Sequence, residues 1–466
     1  MPGLIGLRLS IMMFLQFFVW GAWYVTTGQY MARVGFGDWI GWAYTVGPIA
    51  AVISPFFLGM VADRFFATER VLGVMHILGG VAIFCAPMVV TEDSSASARL
   101  FVGMLLLHML FYMPTLGLTN TLAFHNITNQ EKQFPIIRVF GTIGWIVANL
   151  VVSYALGADE KALPLQIAGI SAVVLGFYSF TLPHTPPPAA GTAVSAREVL
   201  GLDSLALMKQ PSFSVFMVSS MLICIPLAAY YSFAQVFVNN AGFHYTATAM
   251  STGQMSEIFF MLVMPLFFAR LGVKWMLFVG MLAWAARYAL FAMGAPTGVT
   301  WMVLGGILLH GICYDFFFVT GQIYVDKKAP VAIRGQAQGF LVLVTQGIGL
   351  GIGAQIAQRV ADHFEASNFD ELKGRAEGLR KQYTSLTEQA EATPDASADL
   401  MAQADTAWQQ ASELLLQSYD WQSIWMIAAV ASAVIMVIFA VMFRDKADGE
   451  VTEGEVAAAA AHEEQP

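Results

Sequence analysis

The chain has 466 residues, of which 57% are hydrophobic and only 12% charged, with a formal net charge of −9. A soluble domain carries roughly 25% charged residues. The composition therefore excludes an ordinary soluble enzyme, a disordered chain and a nucleic-acid-binding protein, and it points to the lipid bilayer as solvent. A helix needs about 20 apolar residues to cross a membrane, so about twelve spans use roughly half of this chain.

Apolar runs and breakers predict six spans near 7–31, 39–62, 71–90, 100–124, 136–156 and 165–182. Six more are predicted near 212–238, 247–269, 274–294, 299–324, 335–358 and 422–443. The first is too long for a signal-peptide core and lacks a small-residue cleavage site, so it reads as a retained membrane helix. The expected fold is all-α, with twelve transmembrane helices in two six-helix bundles, 1–182 and 212–443. A Pro-rich stretch with His184-Thr185-Pro186-Pro187-Pro188, then an amphipathic run from Arg197 to Lys209, makes 183–211 a linker. An insertion at 359–420 reads as a helical hairpin with a turn at Thr393-Pro394-Asp395, and 444–466 as an acidic, disordered tail.

Charge sets the orientation. With the N-terminus cytoplasmic, the cytoplasmic segments hold fourteen Lys and Arg against three in the short outer loops, Arg33, Arg99 and Lys161. That bias places both termini in the cytoplasm and the 359–420 hairpin outside. The three cysteines, Cys85, Cys224 and Cys313, are far apart in apolar runs and form neither a disulfide framework nor a metal pattern. No P-loop and no His-Glu-x-x-His occurs, so neither ATP drive nor zinc chemistry is expected, and no cofactor.

The halves echo one another. His108-Met109-Leu110-Phe111-Tyr112 matches His310-Gly311-Ile312-Cys313-Tyr314, Pro135-Ile136-Ile137-Arg138 matches Pro330-Val331-Ala332-Ile333-Arg334, and Pro55-Phe56-Phe57-Leu58 matches Pro265-Leu266-Phe267-Phe268, at offsets of 195 to 210 residues. Parallel repeats with a central linker suit a secondary transporter whose substrate site lies between the bundles near mid-membrane. The loop Gly59-Met60-Val61-Ala62-Asp63-Arg64, followed by Arg70, resembles the signature loop of the major facilitator superfamily. Gly59 would permit close helix approach. Asp63, with Arg64 and Arg70, would latch the halves on the cytoplasmic side.

Titratable groups inside spans are the sharpest chemical signal. A charge at a helix centre costs about 2.5 to 3.5 kcal/mol on insertion scales, so Glu257 and Asp315 should face the bundle interior and serve ion or substrate movement. Gln254 and Glu257, three apart, share one helical face and can both serve a substrate, which leaves Asp315 as the first choice for carrying a proton. Arg138 can balance a buried acid or bond a substrate oxygen. Arg287, deeper in its span, is expected to pair structurally with an acid of its own half. His76 and His108 read as histidines hydrogen-bonded between helices, and His310 as lining the same cavity as Tyr314. Trp145 and Tyr314 are the aromatics expected to stack on a flat ligand. The glycines of span eleven suit close helix packing.

Longer segments sharpen the reading: Phe14-Leu15-Gln16-Phe17 with Trp20-Gly21-Ala22-Trp23, Tyr112-Met113-Pro114-Thr115-Leu116-Gly117-Leu118-Thr119-Asn120, Phe134-Pro135-Ile136-Ile137-Arg138-Val139-Phe140-Gly141-Thr142, Leu200-Gly201-Leu202-Asp203, Gln254-Met255-Ser256-Glu257 and Tyr314-Asp315-Phe316-Phe317. In these the chain resembles the bacterial nucleoside:proton symporters of the major facilitator superfamily, over both halves. The resemblance implies nucleoside uptake driven by the proton gradient across the bacterial inner membrane. It implies substrate-site residues Arg138, Thr142, Gln254 and Glu257, with Tyr314 and Asp315 nearby. Where the family carries amides in span seven, this chain has Ile225 and Ala228; Trp145 and His310 also depart from its pattern. The expected partners are a nucleoside, protons and lipid, with no nucleic acid, and the chain is expected to act as a monomer. Two other readings stay open: a symporter for another small polar or aromatic solute such as a sugar, and a membrane sensor that keeps the fold without transporting.

Overall fold

Inside hydrocarbon every backbone N–H and C=O must be satisfied within its own segment, and an open chain meets that demand only as helix. The computed structural model describes residues 4–57, 66–91, 94–128, 130–186, 202–330, 334–393 and 396–444. Among these no strand is present; a single antiparallel bridge pairs Glu365 with Tyr419. Nine helices are long and apolar enough to cross a membrane, and Leu163–Ser179 is a shorter apolar one. Ile40–Phe57 and the first part of Thr246–Gly294 supply the remaining expected spans. Spans eight and nine are two helices that meet at a kink within Thr246–Gly294, where Gly272 leaves helical geometry with a φ of 66°, a conformation glycine adopts without steric cost.

In the first half, span one (Leu4–Arg33) packs on span five (Ile136–Ala155), and span three (Thr68–Val89) on span six (Leu163–Ser179). In the second, span seven (Pro211–Asn240) packs on span eleven (Ala337–His363), and the Thr246–Gly294 helix on span twelve (Trp421–Met442). The halves meet where span two (Ile40–Phe57) lies on span eleven, and where span five lies on the Thr246–Gly294 helix. Glycine sets how closely these helices approach. A Cβ on Gly144 would overlap the Phe14 carbonyl oxygen, so spans one and five touch backbone to backbone. In span eleven Gly347 and Gly351 lie against span two, and Gly349 and Gly353 against span seven, whereas Gly339 faces open space.

The 359–420 insertion is a pair of antiparallel helices, Phe369–Ala392 and Ser397–Leu416, standing on the Glu365–Tyr419 bridge. It straddles both halves. Lys373 Nζ donates to the Ala32 carbonyl at 2.7 Å, Arg33 pairs with Glu377 at 3.3 Å, and Trp408 Nε1 donates to the Gly242 carbonyl at 3.0 Å. Arg380, lying over the Trp408 ring, binds Glu160 of the first half and Asn239 of the second. At the same end Asp159 accepts from Ser153 Oγ at 2.7 Å, the Ala247 amide at 3.1 Å and Gln235 Nε2 at 3.3 Å. Thr246 Oγ1 donates to Gln29 Oε1, and the Gly41 amide to Gln358 Oε1. These hydrogen bonds and ion pairs join the halves at the hairpin end.

Gly59, Asp63, Arg64 and the turn residues Pro394 and Asp395 lie outside the described residues; so does the linker from 187 to 201, while Leu202–Lys209 is a 3-10 helix. Arg70 is exposed in the first turn of Thr68–Cys85. Its neighbour Glu69 is buried instead, accepting from His184 Nδ1 at 2.9 Å and the Thr185 amide at 3.0 Å, and so ties span three to the chain leaving span six.

Gly144→Ala forces a methyl group onto backbone that cannot yield, and should cost about 1–3 kcal/mol. The detergent-solubilised variant should melt several degrees below wild type in a thermal-unfolding assay, while Gly339→Ala melts with or above it.

Candidate functional site

Polar side chains placed mid-span must turn away from lipid, and here they converge. A cavity of about 1140 Å³, mouth included, lies between the halves and is lined by both. Span five contributes Arg138, Thr142 and Trp145; the Thr246–Gly294 helix contributes Gln254 and Glu257; span ten (Thr300–Val325) contributes His310, Tyr314 and Gln322; span eleven contributes Gln346. Aromatic rings cover one side. Trp20 meets Trp145 edge-on at 5.6 Å, and Tyr24 meets Tyr231 of the other half at 6.1 Å. Tyr44 braces Tyr24, its hydroxyl donating to the Tyr24 carbonyl at 2.9 Å. The Arg138 guanidinium lies over the Phe17 ring at 4.1 Å, a cation–π contact that holds it at the wall.

Local structure places the second half's groups. Span ten is jointed at Leu309, between helices Thr300–Leu308 and His310–Cys313. Ser256 stitches that joint: its Oγ donates to the Leu308 carbonyl at 2.7 Å and accepts from the Gly311 amide at 3.0 Å. A Cβ on Gly311 would lie 2.5 Å from the Ser256 backbone, so the two helices approach as closely as their main chains allow. That approach sets His310 Nε2 3.8 Å from Glu257 Oε2, with Tyr314 one turn further along.

Arg138, Thr142, Trp145, Gln254, Glu257 and Tyr314 thus all line one cavity. Asp315 does not. It follows Tyr314 in the π-helical stretch Tyr314–Val319; Tyr314 is at the cavity and Asp315 is fully buried behind it, with neither carboxyl oxygen hydrogen-bonded. Arg287 also differs from expectation. It is fully buried, none of its guanidinium nitrogens has a hydrogen-bond partner, and it lies over the Tyr230 ring at 4.3 Å instead of pairing with an acid.

His76 and His108 are held between helices. His76 Nε2 donates to Gln16 Oε1 at 2.7 Å, Gln16 Nε2 donates to Thr115 Oγ1 at 2.7 Å, and His108 Nδ1 donates to the Gly79 carbonyl at 2.8 Å. The span-seven departures have a packing reason: Ile225 and Ala228 lie against Gly353, and it is Leu227 and Tyr231 that reach the cavity. The sequence reading missed Gln322 and Gln346, whose polarity inside apolar spans was the available signal, and the Phe17, Trp20 and Tyr24 rings. Among the described residues no group of three His, Cys, Asp or Glu side chains is arranged to hold a metal.

Against known proteins, residues 4–374 match the family model described as nucleoside H+ symporter. The chain belongs to the nucleoside:proton symporter family. Its relatives agree. The chain named YegT of Escherichia coli (strain K12) is 36% identical over 96% of this chain and 95% of its own length. The nucleoside permease NupG of the same strain is 34% identical over 77% of this chain and 88% of its own. The crystal structure of NupG superposes with a TM-score of 0.76 at 30% identity, covering 95% of this chain and all of that one. The protein is therefore a multi-pass membrane transporter, not an enzyme, and its cargo class is nucleosides moved with protons.

Ser256→Val leaves the Leu308 carbonyl and the Gly311 amide without their partner, at about 1–3 kcal/mol for each group left unpaired away from water. Thermal unfolding should show a clear loss that Ser256→Thr, which restores the hydroxyl, largely recovers.

Proposed function

We propose that this chain imports nucleosides into the cytoplasm of a bacterial cell, one chain sufficing, with both termini cytoplasmic and the hairpin outside. The lysine and arginine bias supports that orientation. The observation that carries the site assignment is the convergence of polar and aromatic side chains from both halves on one cavity. A nucleoside is a flat, weakly polar base joined to a ring of hydroxyl groups. Trp145 and Tyr314 stack on the base, and Arg138 and Thr142 donate to its exocyclic oxygens and ring nitrogens. Glu257 accepts from the ribose hydroxyls, a charge-assisted contact about twice as strong as a neutral one, and Gln254 completes that wall.

Asp315 carries the proton. Its carboxyl is buried with neither oxygen hydrogen-bonded, and hydration of span ten in another state lets it exchange its proton. Rocking the halves about the site alternates access. The hydrogen bonds at the hairpin end hold the state closed to the outside. In the opposite state Asp63, with Arg64 and Arg70, closes the cytoplasmic end, and Gly59 lets the helices meet there.

Isothermal titration of uridine into purified protein, paired with uptake in proteoliposomes, tests this reading. Glu257→Gln and Arg138→Ala should each weaken binding about tenfold or more, since one charge-assisted contact is worth roughly 1.5–3 kcal/mol. Asp315→Asn should abolish accumulation driven by a pH gradient while uridine exchange continues. Gradient-driven accumulation by Asp315→Asn at the wild-type level would contradict the proton assignment.

A further inference from the structure

Glu257 does not stand alone on its wall. The nearest charge-bearing group described for it is His310, at 3.8 Å between Nε2 and Oε2. Gly253, one turn before Glu257, makes the space: a Cβ there would meet His310 Cβ at 3.0 Å. The imidazole is buried and lines the cavity. It is held in a column of rings, nearly parallel to Tyr230 at 6.0 Å and to Tyr314 at 6.0 Å. Its other nitrogen, Nδ1, is buried with no hydrogen-bond partner. The ring thus has one nitrogen directed at a carboxylate and nothing that fixes its tautomer from the far side, in contrast to His76 and His108, whose bonded nitrogens donate to fixed acceptors.

The charged and titratable groups around this imidazole come from every neighbouring element. Tyr230 faces it from span seven, whose Tyr231 lines the same cavity, and Glu257 faces it from span eight. Arg287 lies behind Tyr230 from span nine, Cys313, Tyr314 and Asp315 share span ten, and Arg138 stands on the cavity's span-five wall. The fixed guanidinium behind Tyr230 gives that side of the column a permanent positive charge. Glu257 is the only carboxylate that the described ion-pair contacts bring to His310.

We propose that His310 and Glu257 hold one exchangeable proton between them, a titrating pair distinct from Asp315 that couples the charge beside the ribose-binding carboxylate to substrate occupancy. In the protonated pair His310 Nε2–H faces Glu257 Oε2. When that proton leaves to cavity water the imidazole keeps a single N–H, and the pair falls by one positive charge. Ribose hydroxyls arriving at Glu257 donate to the same oxygen that faces Nε2, so nucleoside binding and proton binding at the pair are linked. This inference rests on the cavity being the nucleoside site.

The test is the pH dependence of uridine affinity, measured by titration calorimetry on the full-length protein from about pH 5.5 to 8.5, for wild type and His310→Gln. Linkage makes the slope of log Kd against pH equal to the protons exchanged on binding. His310→Gln keeps a polar side chain without a titrating one, so its slope should differ from wild type by up to about one proton within that pH window. Any slope that remains belongs to Glu257 and Asp315. An unchanged slope overturns the inference while leaving the nucleoside reading intact; wild-type protein that binds no nucleoside overturns both. Should His310→Gln fail to bind, nitrogen NMR of the imidazole in the wild-type protein decides. Uridine must change the protonation of His310, and an imidazole that keeps one form throughout, with and without uridine, overturns the proposal.

Discussion

Hydrocarbon does not hydrate charge, and the rest of the molecule follows from that constraint. Arg138 and Glu257 cannot point at lipid, so each half must present its polar groups to the other half, and the halves must leave a cavity where those groups meet. Two apolar bundles joined by a linker would have little reason to face one another; two bundles that each carry an intramembrane charge do. The fold is in this sense the means by which a membrane protein keeps ions and water-seeking groups at its centre.

Close backbone contact is what makes the arrangement definite. Without a hydrophobic driving force between helices in lipid, packing and interhelical hydrogen bonds decide the geometry. Gly144 brings span five against span one and so orients Arg138, Thr142 and Trp145; Gly311 brings span ten against the Glu257 helix. Ser256 then satisfies the backbone groups that the joint at Leu309 frees. The hairpin adds a brace that reaches both halves through Lys373, Arg380 and Trp408 at the end where the seam is closed. The brace is built from half-buried polar contacts between side chains and backbone, each reversible, as suits a seam that must open in every cycle.

Much of this was legible in the sequence, for a stated reason. Glu257, Arg138 and Asp315 stand out because ionisable residues are rare in apolar spans, and the duplicated motifs give the two-bundle plan. What the sequence did not reveal depends on register. Neighbouring residues on a helix point about 100° apart, so with His310, Tyr314 and Gln322 at the cavity Asp315 lies behind it. Arg287 was expected to find an acid; the fold gives it the Tyr230 ring face instead. Trp20 and Tyr24 could not be told from lipid-facing aromatics, which share their composition. Ile225 and Ala228, set where the family carries amides, turn out to be packing positions against Gly353.

The account stands on transport being powered by protons entering through this cavity. Uptake of radiolabelled uridine into proteoliposomes holding the wild-type protein, with an imposed inward proton gradient, measures that directly. The account predicts accumulation above the external concentration that collapses when a protonophore is added. Uptake that reaches only equilibrium, or that a protonophore leaves unchanged, would contradict it.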